Sequence, residues 1–317
     1  MRLAYSISGY KLPGQLAWLM TAIRHADDLF VIHVDARTPA DVFAAMRRAA
    51  GEAPNVLFIE RQAITWMGIS LVEAELRAIR AALDADPPFD YLISLSMQDY
   101  PLKSRAEIVA ALEAAPGLDH VSRERLADLP FHIRRRPRLM AFEHRGRLVK
   151  TPIPRPIPKD LDLVWKGSWW RVLSRATCEW LLDAPLTRRY LDFLRHVQAP
   201  DELFVQNILA QGPRRDRLAA RNRHFVAWSG KGGSPRTLTV ADAEQLLTSP
   251  LWFARKLDET VDRRVLELLA TRIGADLPAH AAVRHQRDAT PASTSVESSG
   301  KPSERAAAGA VSVAAAR

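Results

Sequence analysis

Three residues beyond position 200 carry groups that could drive a transfer reaction. Glu202 stands in Ala199-Pro-Asp-Glu-Leu-Phe-Val-Gln-Asn-Ile-Leu209, a carboxylate just behind a proline where a helix should begin. Arg236 lies in Ser234-Pro-Arg-Thr-Leu-Thr239 and Lys256 in Leu251-Trp-Phe-Ala-Arg-Lys-Leu-Asp258, both in apolar settings. A carboxylate to take a proton and two cations to hold an anionic leaving group make a minimal group-transfer site, one that could work without a metal. The first turn of a helix favours negative charge, which suits Glu202. The plainer reading is that Asp201 and Glu202 cap free helix amides, and for Glu202 alone that reading is the stronger. Arg236 and Lys256 likewise compete with a basic surface, since the chain carries 45 Lys and Arg.

The elements that must position these groups alternate along the first hundred residues. Strand patterns cover Leu3–Ser8, Leu29–Val34, Val56–Ile59 and Tyr91–Ser96; helical stripes cover 14–25, 39–50 and 70–84. Continuous apolar strands alternating with helices predict an α/β fold with a mainly parallel central sheet flanked by helices. Ligands on such sheets bind beyond the carboxyl ends of the strands. Those ends are Ser8-Gly9-Tyr10, Asp35, the 63–68 segment and Met97-Gln-Asp-Tyr-Pro101. Residues 118–165 look irregular, with a basic run at His132–Arg138 and a proline-rich passage at Thr151–Pro158, and predict a surface excursion. One domain is expected over 1–279. Residues 280–317, rich in Ala, Ser, Thr and charge, cannot bury enough surface to offset their ordering entropy and predict a disordered tail.

Several residues at these edges invite a ligand. Asp35 ends a buried strand and could accept from a nucleobase imide or a ribose hydroxyl; otherwise it caps the following loop. Trp66, before Gly68, could wall a nucleotide pocket, although core tryptophans are common. Asp99 follows a buried strand and is costly there unless it binds something or pins its own loop. Trp165-Lys-Gly-Ser-Trp-Trp170 offers aromatic faces on which a sugar could stack, with Trp170 expected inward and Trp165 or Trp169 outward. Asp160-Leu-Asp162 has the spacing many sugar transferases use for manganese but lies in the irregular stretch, and Ser229-Gly-Lys-Gly-Gly-Ser234 lacks the Walker spacing.

Bulk composition narrows the class. A net charge of +9 suits an anionic ligand, whether nucleic acid, an anionic membrane or a nucleotide-sugar. The single cysteine, Cys178, excludes an intrachain disulfide framework and a cysteine-based zinc cluster, and fits a reducing compartment. The opening residues enter a strand pattern at once, with no leader pattern, and no apolar run reaches the length needed to cross a bilayer. A soluble cytoplasmic protein is expected, with peripheral contact at the inner membrane face left open. No nucleic-acid module accompanies the 132–138 run, and nucleic acid is not expected as a partner.

In order, Ile32-His-Val-Asp35, Trp66-Met-Gly68, Leu95-Ser-Met-Gln-Asp-Tyr-Pro-Leu-Lys-Ser104, Trp165-Lys-Gly-Ser-Trp-Trp170, Pro200-Asp-Glu202, Ser234–Thr239 and Phe253–Asp258 resemble the core-2/I-branching β-1,6-N-acetylglucosaminyltransferase family, which includes peptide O-xylosyltransferases. The resemblance spans roughly residues 1–260. It implies a GT-A-type fold and an inverting transfer from a UDP-sugar donor to a glycan or glycoprotein acceptor. N-acetylglucosamine is the first expectation for the donor sugar and xylose the alternative. A non-catalytic basic binding protein for an anionic polymer or membrane is a further alternative. By resemblance Glu202 is the base, Arg236 and Lys256 grip the diphosphate without manganese or other cofactor, and Asp35 meets the uridine beside Ser8 and Trp66. Asp99, Trp165 and Trp169 are expected at the sugars. Gly9-Tyr10 departs from the family's frequent Ala-His pair, and a bacterial-type, cytosolic member without the membrane anchor and disulfides of animal members is expected.

Overall fold

The structure, a computed structural model, describes residues 1–219, 221–229 and 234–281. Most of the glycine-rich 229–234 loop and nearly all of the 280–317 tail lie outside the described residues.

Unbroken apolar runs set the centre of the molecule. Strands β1 (Leu3–Gly9), β2 (Leu29–Val34), β3 (Val56–Phe58) and β4 (Tyr91–Ser96) pair in parallel in the order β3-β2-β1-β4. Register is fixed at the carboxyl end, where Ser8 lies between His33 and Ser96. Beyond β4 the sheet continues through Arg171–Ser174, which is antiparallel, then Asp119–Val121 and Leu218–Ala219. Among the described residues seven strands form this mainly parallel sheet, as the α/β expectation requires.

Side chains alternate across the sheet, and each face has its own helical cover. Tyr5, Ile7, Phe30, Ile32 and Ile93 pack with Leu16 and Leu19 of α1 (Pro13–Ile23) and Met46 of α2 (Ala40–Ala50). Ala4, Leu29, Val31 and Leu92 pack with Val72 and Ile79 of α3 (Ile69–Leu83) and with Phe204 and Ile208 of the helix Phe204–Gln211. A third cluster, holding Trp18, Tyr100, Leu238, Leu257 and Leu266, lies around a small sheet of His224–Val226, Phe253–Arg255 and Tyr100–Pro101. That small sheet brings the 253–255 segment against the loop after β4, so the chain's latest motif meets its central one.

The 118–165 region is more ordered than its sequence suggests. Asp119–Val121 is a strand of the main sheet, and Leu139–His144 pairs with Arg147–Pro154 as a hairpin. Arg145 and Gly146 turn the hairpin with φ of 48° and 75°, the geometry that a two-residue hairpin loop favours. Pro152 and Pro154 obscure the strand pattern in sequence, but this two-stranded ribbon leaves them on an edge, where a missing amide is tolerated. No helix among the described residues is long and apolar enough to cross a membrane.

Candidate active site

Glu202 closes a single 3-10 turn, Pro200–Glu202, rather than standing in the first turn of an α-helix; the helix begins at Phe204. The turn is entered through Ala199, a non-glycine residue in the left-handed region (φ 56°), whose amide donates to Met67 O at 2.9 Å. The Gly167 amide donates to Glu202 O at 2.8 Å, which bonds the tryptophan-rich segment to the turn. The carboxylate itself is 28% exposed and pairs with two cations, Arg136 Nη1 at 3.2 Å and Lys166 Nζ at 3.4 Å. Neither partner is expected from the sequence. Arg136 belongs to a basic run that reads as a surface feature, and Lys166 is hidden among the tryptophans.

Asp201 points the other way, into the protein. It adjoins the buried pair Arg171–Glu75, with Nε and Oε1 3.4 Å apart, and Arg171 Nη2 donates to Asp201 O at 3.4 Å. Burial, with the Glu202 charge next to it, pushes the Asp201 carboxyl up to about 7. Adjacent residues in one turn thus have opposite environments, one carboxylate paired with two cations and one buried.

Beside Glu202 opens a cleft of about 530 Å³ walled by the 131–136 segment, the 139–152 hairpin residues and Gln198. Arg136 and Gln198 also line the narrow crevice that contains Glu202 and Lys166, so crevice and cleft adjoin across these two side chains.

The two predicted anion-gripping cations are brought close to each other by backbone pairing: the Leu238 amide donates to Lys256 O at 2.7 Å. They differ in their surroundings. Arg236 is committed to a bidentate pair with Asp242, one bond at 2.8 Å, and Asp242 also accepts from the Thr239 amide. Lys256 has no carboxylate partner among the described residues. Burial, then the charges of Arg255 and Lys11, lower its pKa. A half-buried cation crowded by two others is a place where an anion is wanted. Lys11, just past the end of β1, is a further cation that no sequence motif singles out. Among the described residues no direct contact joins Glu202 to Arg236 or Lys256.

What links the two halves is Asp99, fully buried beneath them. Its carboxylate accepts from Ser96 N at 2.6 Å, Ser96 Oγ at 2.9 Å, Trp170 Nε1 at 2.8 Å and Arg255 Nε at 3.1 Å. The sequence suggests an Asp99 that touches the donor sugar; the structure shows an anchor with no exposed surface, tying the residue before Lys256 to the segment after Lys166.

The tryptophans are also redistributed. Trp169 is buried and Trp170 partly exposed, the reverse of the expected order, because extended backbone sends neighbours to opposite faces. Arg255 stacks on Trp170, its guanidinium carbon 3.7 Å from the ring centre. Trp165 is half-buried with Arg123 over its ring at 5.3 Å. Trp66 is 63% exposed, a free aromatic face beside the Met67–Ala199 bond. A Cβ at Gly68 would lie 2.2 Å from Glu143 Oε1, the oxygen that accepts from the Ser70 amide at the start of α3, so a side chain there would displace the Glu143 carboxylate from that amide.

At the carboxyl edge of the sheet Ser8 is half-buried near the end of β1. Asp35 is occupied by Arg37 N at 2.8 Å, Arg37 Nη2 at 2.7 Å and Ile64 N at 3.1 Å. Burial acts to raise its pKa, but the Arg37 and Ile64 hydrogen bonds outweigh it and hold the carboxyl below its ordinary value. Asp160, of the manganese-like spacing, is spent on a surface pair with Arg189 at 2.6 Å.

Comparison with known proteins agrees with this arrangement of motifs. The Core-2/I-Branching enzyme family matches residues 3–249. The zebrafish (Danio rerio) beta-1,3-galactosyl-O-glycosyl-glycoprotein beta-1,6-N-acetylglucosaminyltransferase 4 is 26% identical over 298 residues, covering 86% of this chain and 69% of its own length. Xylosyltransferase 2 of Rattus norvegicus is 27% identical over 310 residues, covering 88% of this chain and 34% of its own. The chain therefore spans about two thirds of the first relative and one third of the second. Among solved structures, apo mouse xyloside xylosyltransferase 1 overlies 80% of this chain and 96% of its own with a TM-score of 0.36 and 10% identity, a likeness that carries no argument by itself. With the family matched over most of its length and an α/β, GT-A-type fold to hold the motifs, this chain belongs to the core-2/I-branching enzyme family of glycosyltransferases.

Proposed function

We propose that the chain transfers a sugar, N-acetylglucosamine in the first reading, from UDP to a hydroxyl of a glycan acceptor, with inversion and without a metal. The observation that carries this is the position of Glu202: a partly exposed carboxylate in a crevice that shares Arg136 and Gln198 with a cleft large enough for saccharide. In a single displacement the acceptor oxygen attacks the anomeric carbon and the new C–O bond forms on the face opposite the departing UDP. The acceptor's proton passes to Glu202. The electron pair of the broken bond leaves on the terminal phosphate oxygen of UDP, where Lys256, Lys11 and Arg236 stand as countercharges. A placed base of this kind typically contributes about 10²–10⁴-fold, and prepositioned cations often contribute more.

Xylose is the second reading for the donor, favoured by the match to rat xylosyltransferase 2 along 88% of this chain. The deciding experiment is UDP release from a panel of UDP-sugars in EDTA, comparing wild type with Glu202→Gln. Release from one donor that survives EDTA and is lost in the variant supports reaction class, donor and base together. Near-normal turnover by Glu202→Gln, or activity only with added manganese, overturns the mechanism.

A further inference from the structure

The cleft beside Glu202 has one sign of charge. His132, Arg135, Arg136 and Lys150 line it, and among the described residues no carboxylate does. Arg135 and Lys150 have no carboxylate partner among the described residues; the Arg135 guanidinium carbon stands 5.7 Å from the centre of the Phe131 ring. Leu139, Met140 and Pro152 supply an apolar wall between the cations. A neutral saccharide would desolvate these cations without replacing their water, which is unfavourable. An acidic one would pair with them, and charge-assisted hydrogen bonds are about twice as strong as neutral ones.

Arg136 adds a link to chemistry. It lines the cleft and donates to Glu202 Oε2 at 3.2 Å, so one oxygen of the candidate base already carries a hydrogen bond from a cleft residue.

From these observations we propose that the cleft is an acceptor subsite for an anionic saccharide, a glycan bearing a carboxylate or phosphate near the hydroxyl that attacks. The anion pairs with Arg135 and Lys150 and draws Arg136 from Glu202, leaving Lys166 as the carboxylate's remaining cation and opening a position for the acceptor hydroxyl. The assignment rests on Glu202 being the base and goes beyond it by naming the class of acceptor and the residues that select it.

The test uses disaccharide probes matched except at one carbon, ending in glucose, in glucuronate or in glucose 6-phosphate. Their binding to the full chain is measured by calorimetry at two salt concentrations, and their stimulation of UDP release is measured alongside. The expected result is a preference of about tenfold or more for both anionic probes over the neutral one, weakening with salt. Glucuronate alone, or phosphate alone, being preferred identifies which anion the site takes. Lys150→Glu, checked for folding by circular dichroism, should erase the preference, and Lys150→Arg should keep it. In Arg136→Gln the anionic advantage should fall in kcat, whereas in Arg135→Ala it should fall in KM. Equal binding of all three probes, or a preference that survives Lys150→Glu, overturns the proposal. An acidic peptide bound more tightly than any saccharide does so too. The calorimetric arm needs no turnover, so a failure of the Glu202 mechanism is read separately.

Discussion

Ala199 and Met67 meet through their backbones while both occupy the left-handed region. The Ala199 amide donates to Met67 O at 2.9 Å, with φ of 56° and 62° respectively. One residue leads into the turn that bears Glu202; the other lies beside the exposed Trp66 and the start of α3. Left-handed backbone costs a non-glycine residue about 1–2 kcal/mol, and two such residues joined at a candidate active site fit the tendency of strain to collect where geometry is demanded.

Ala199→Gly relieves one of these strains while giving the unfolded chain more freedom, a cost of about 0.5–1 kcal/mol. The expected net effect is neutral to about 1 kcal/mol stabilising, whereas Ala199→Val, β-branched at the same φ, should lose stability. Urea unfolding of the pair checks this. A Gly variant clearly less stable than wild type would show that Ala199 is not strained.

Asp99 distinguishes an anchor from a sugar contact. Its removal leaves Arg255 buried without a partner and orphans Trp170 Nε1. Breaking a buried pair from one side costs about 3–5 kcal/mol. Asp99→Ala should therefore show a large loss in chemical denaturation. A variant as stable as wild type but defective in donor turnover would restore the sugar-contact reading.

The frame is more legible than the site. The ends of β2 and β4 can be read from Leu29–Val34 and Tyr91–Ser96 because uninterrupted apolar runs mean a sheet covered on both faces. Pro200-Asp-Glu202 identifies its own carboxylate, but its partners Arg136 and Lys166 lie 66 and 36 residues earlier, and only the folded chain brings them to Glu202. Trp169 and Trp170 fall on the faces opposite to those expected because three aromatics in six residues give no phase. A strand starting at Arg171 fixes it. His144-Arg-Gly-Arg147 carries a readable hairpin signal that the neighbouring prolines and arginines mask.

Lys256 predicts a pH dependence of nucleotide binding. Burial and the charges of Arg255 and Lys11 lower its pKa, so it loses its proton earlier than a free lysine. A bound diphosphate favours the charged form, so binding takes up a proton wherever the free site has already lost it. UDP affinity should therefore fall as pH rises through that lowered pKa, and in Lys256→Arg, which stays charged, the decline should disappear. Calorimetric titrations of UDP from neutral to alkaline pH measure this; a flat wild-type profile would place the diphosphate elsewhere.

Asp201 predicts a pH dependence of stability with the opposite kind of group. Its pKa is raised to about 7 by burial and by the adjacent Glu202 charge, against an ordinary carboxylate value near 3.8. Between those values the folded protein holds a proton that the unfolded chain has released. Stability due to this group is therefore greatest at the acid end and falls as pH rises from about 4 to about 7, levelling off above that. Asp201→Asn, neutral at every pH, should remove this component and stand out most clearly above pH 7, where wild type must keep a charge beside Glu202 and Glu75. Because other buried carboxyls titrate too, the quantity to compare is the difference between variant and wild type in unfolding free energy at each pH. A difference that does not change between pH 4.5 and 7.5 would mean that Asp201 is ionised throughout, held by Arg171 more firmly than its burial opposes.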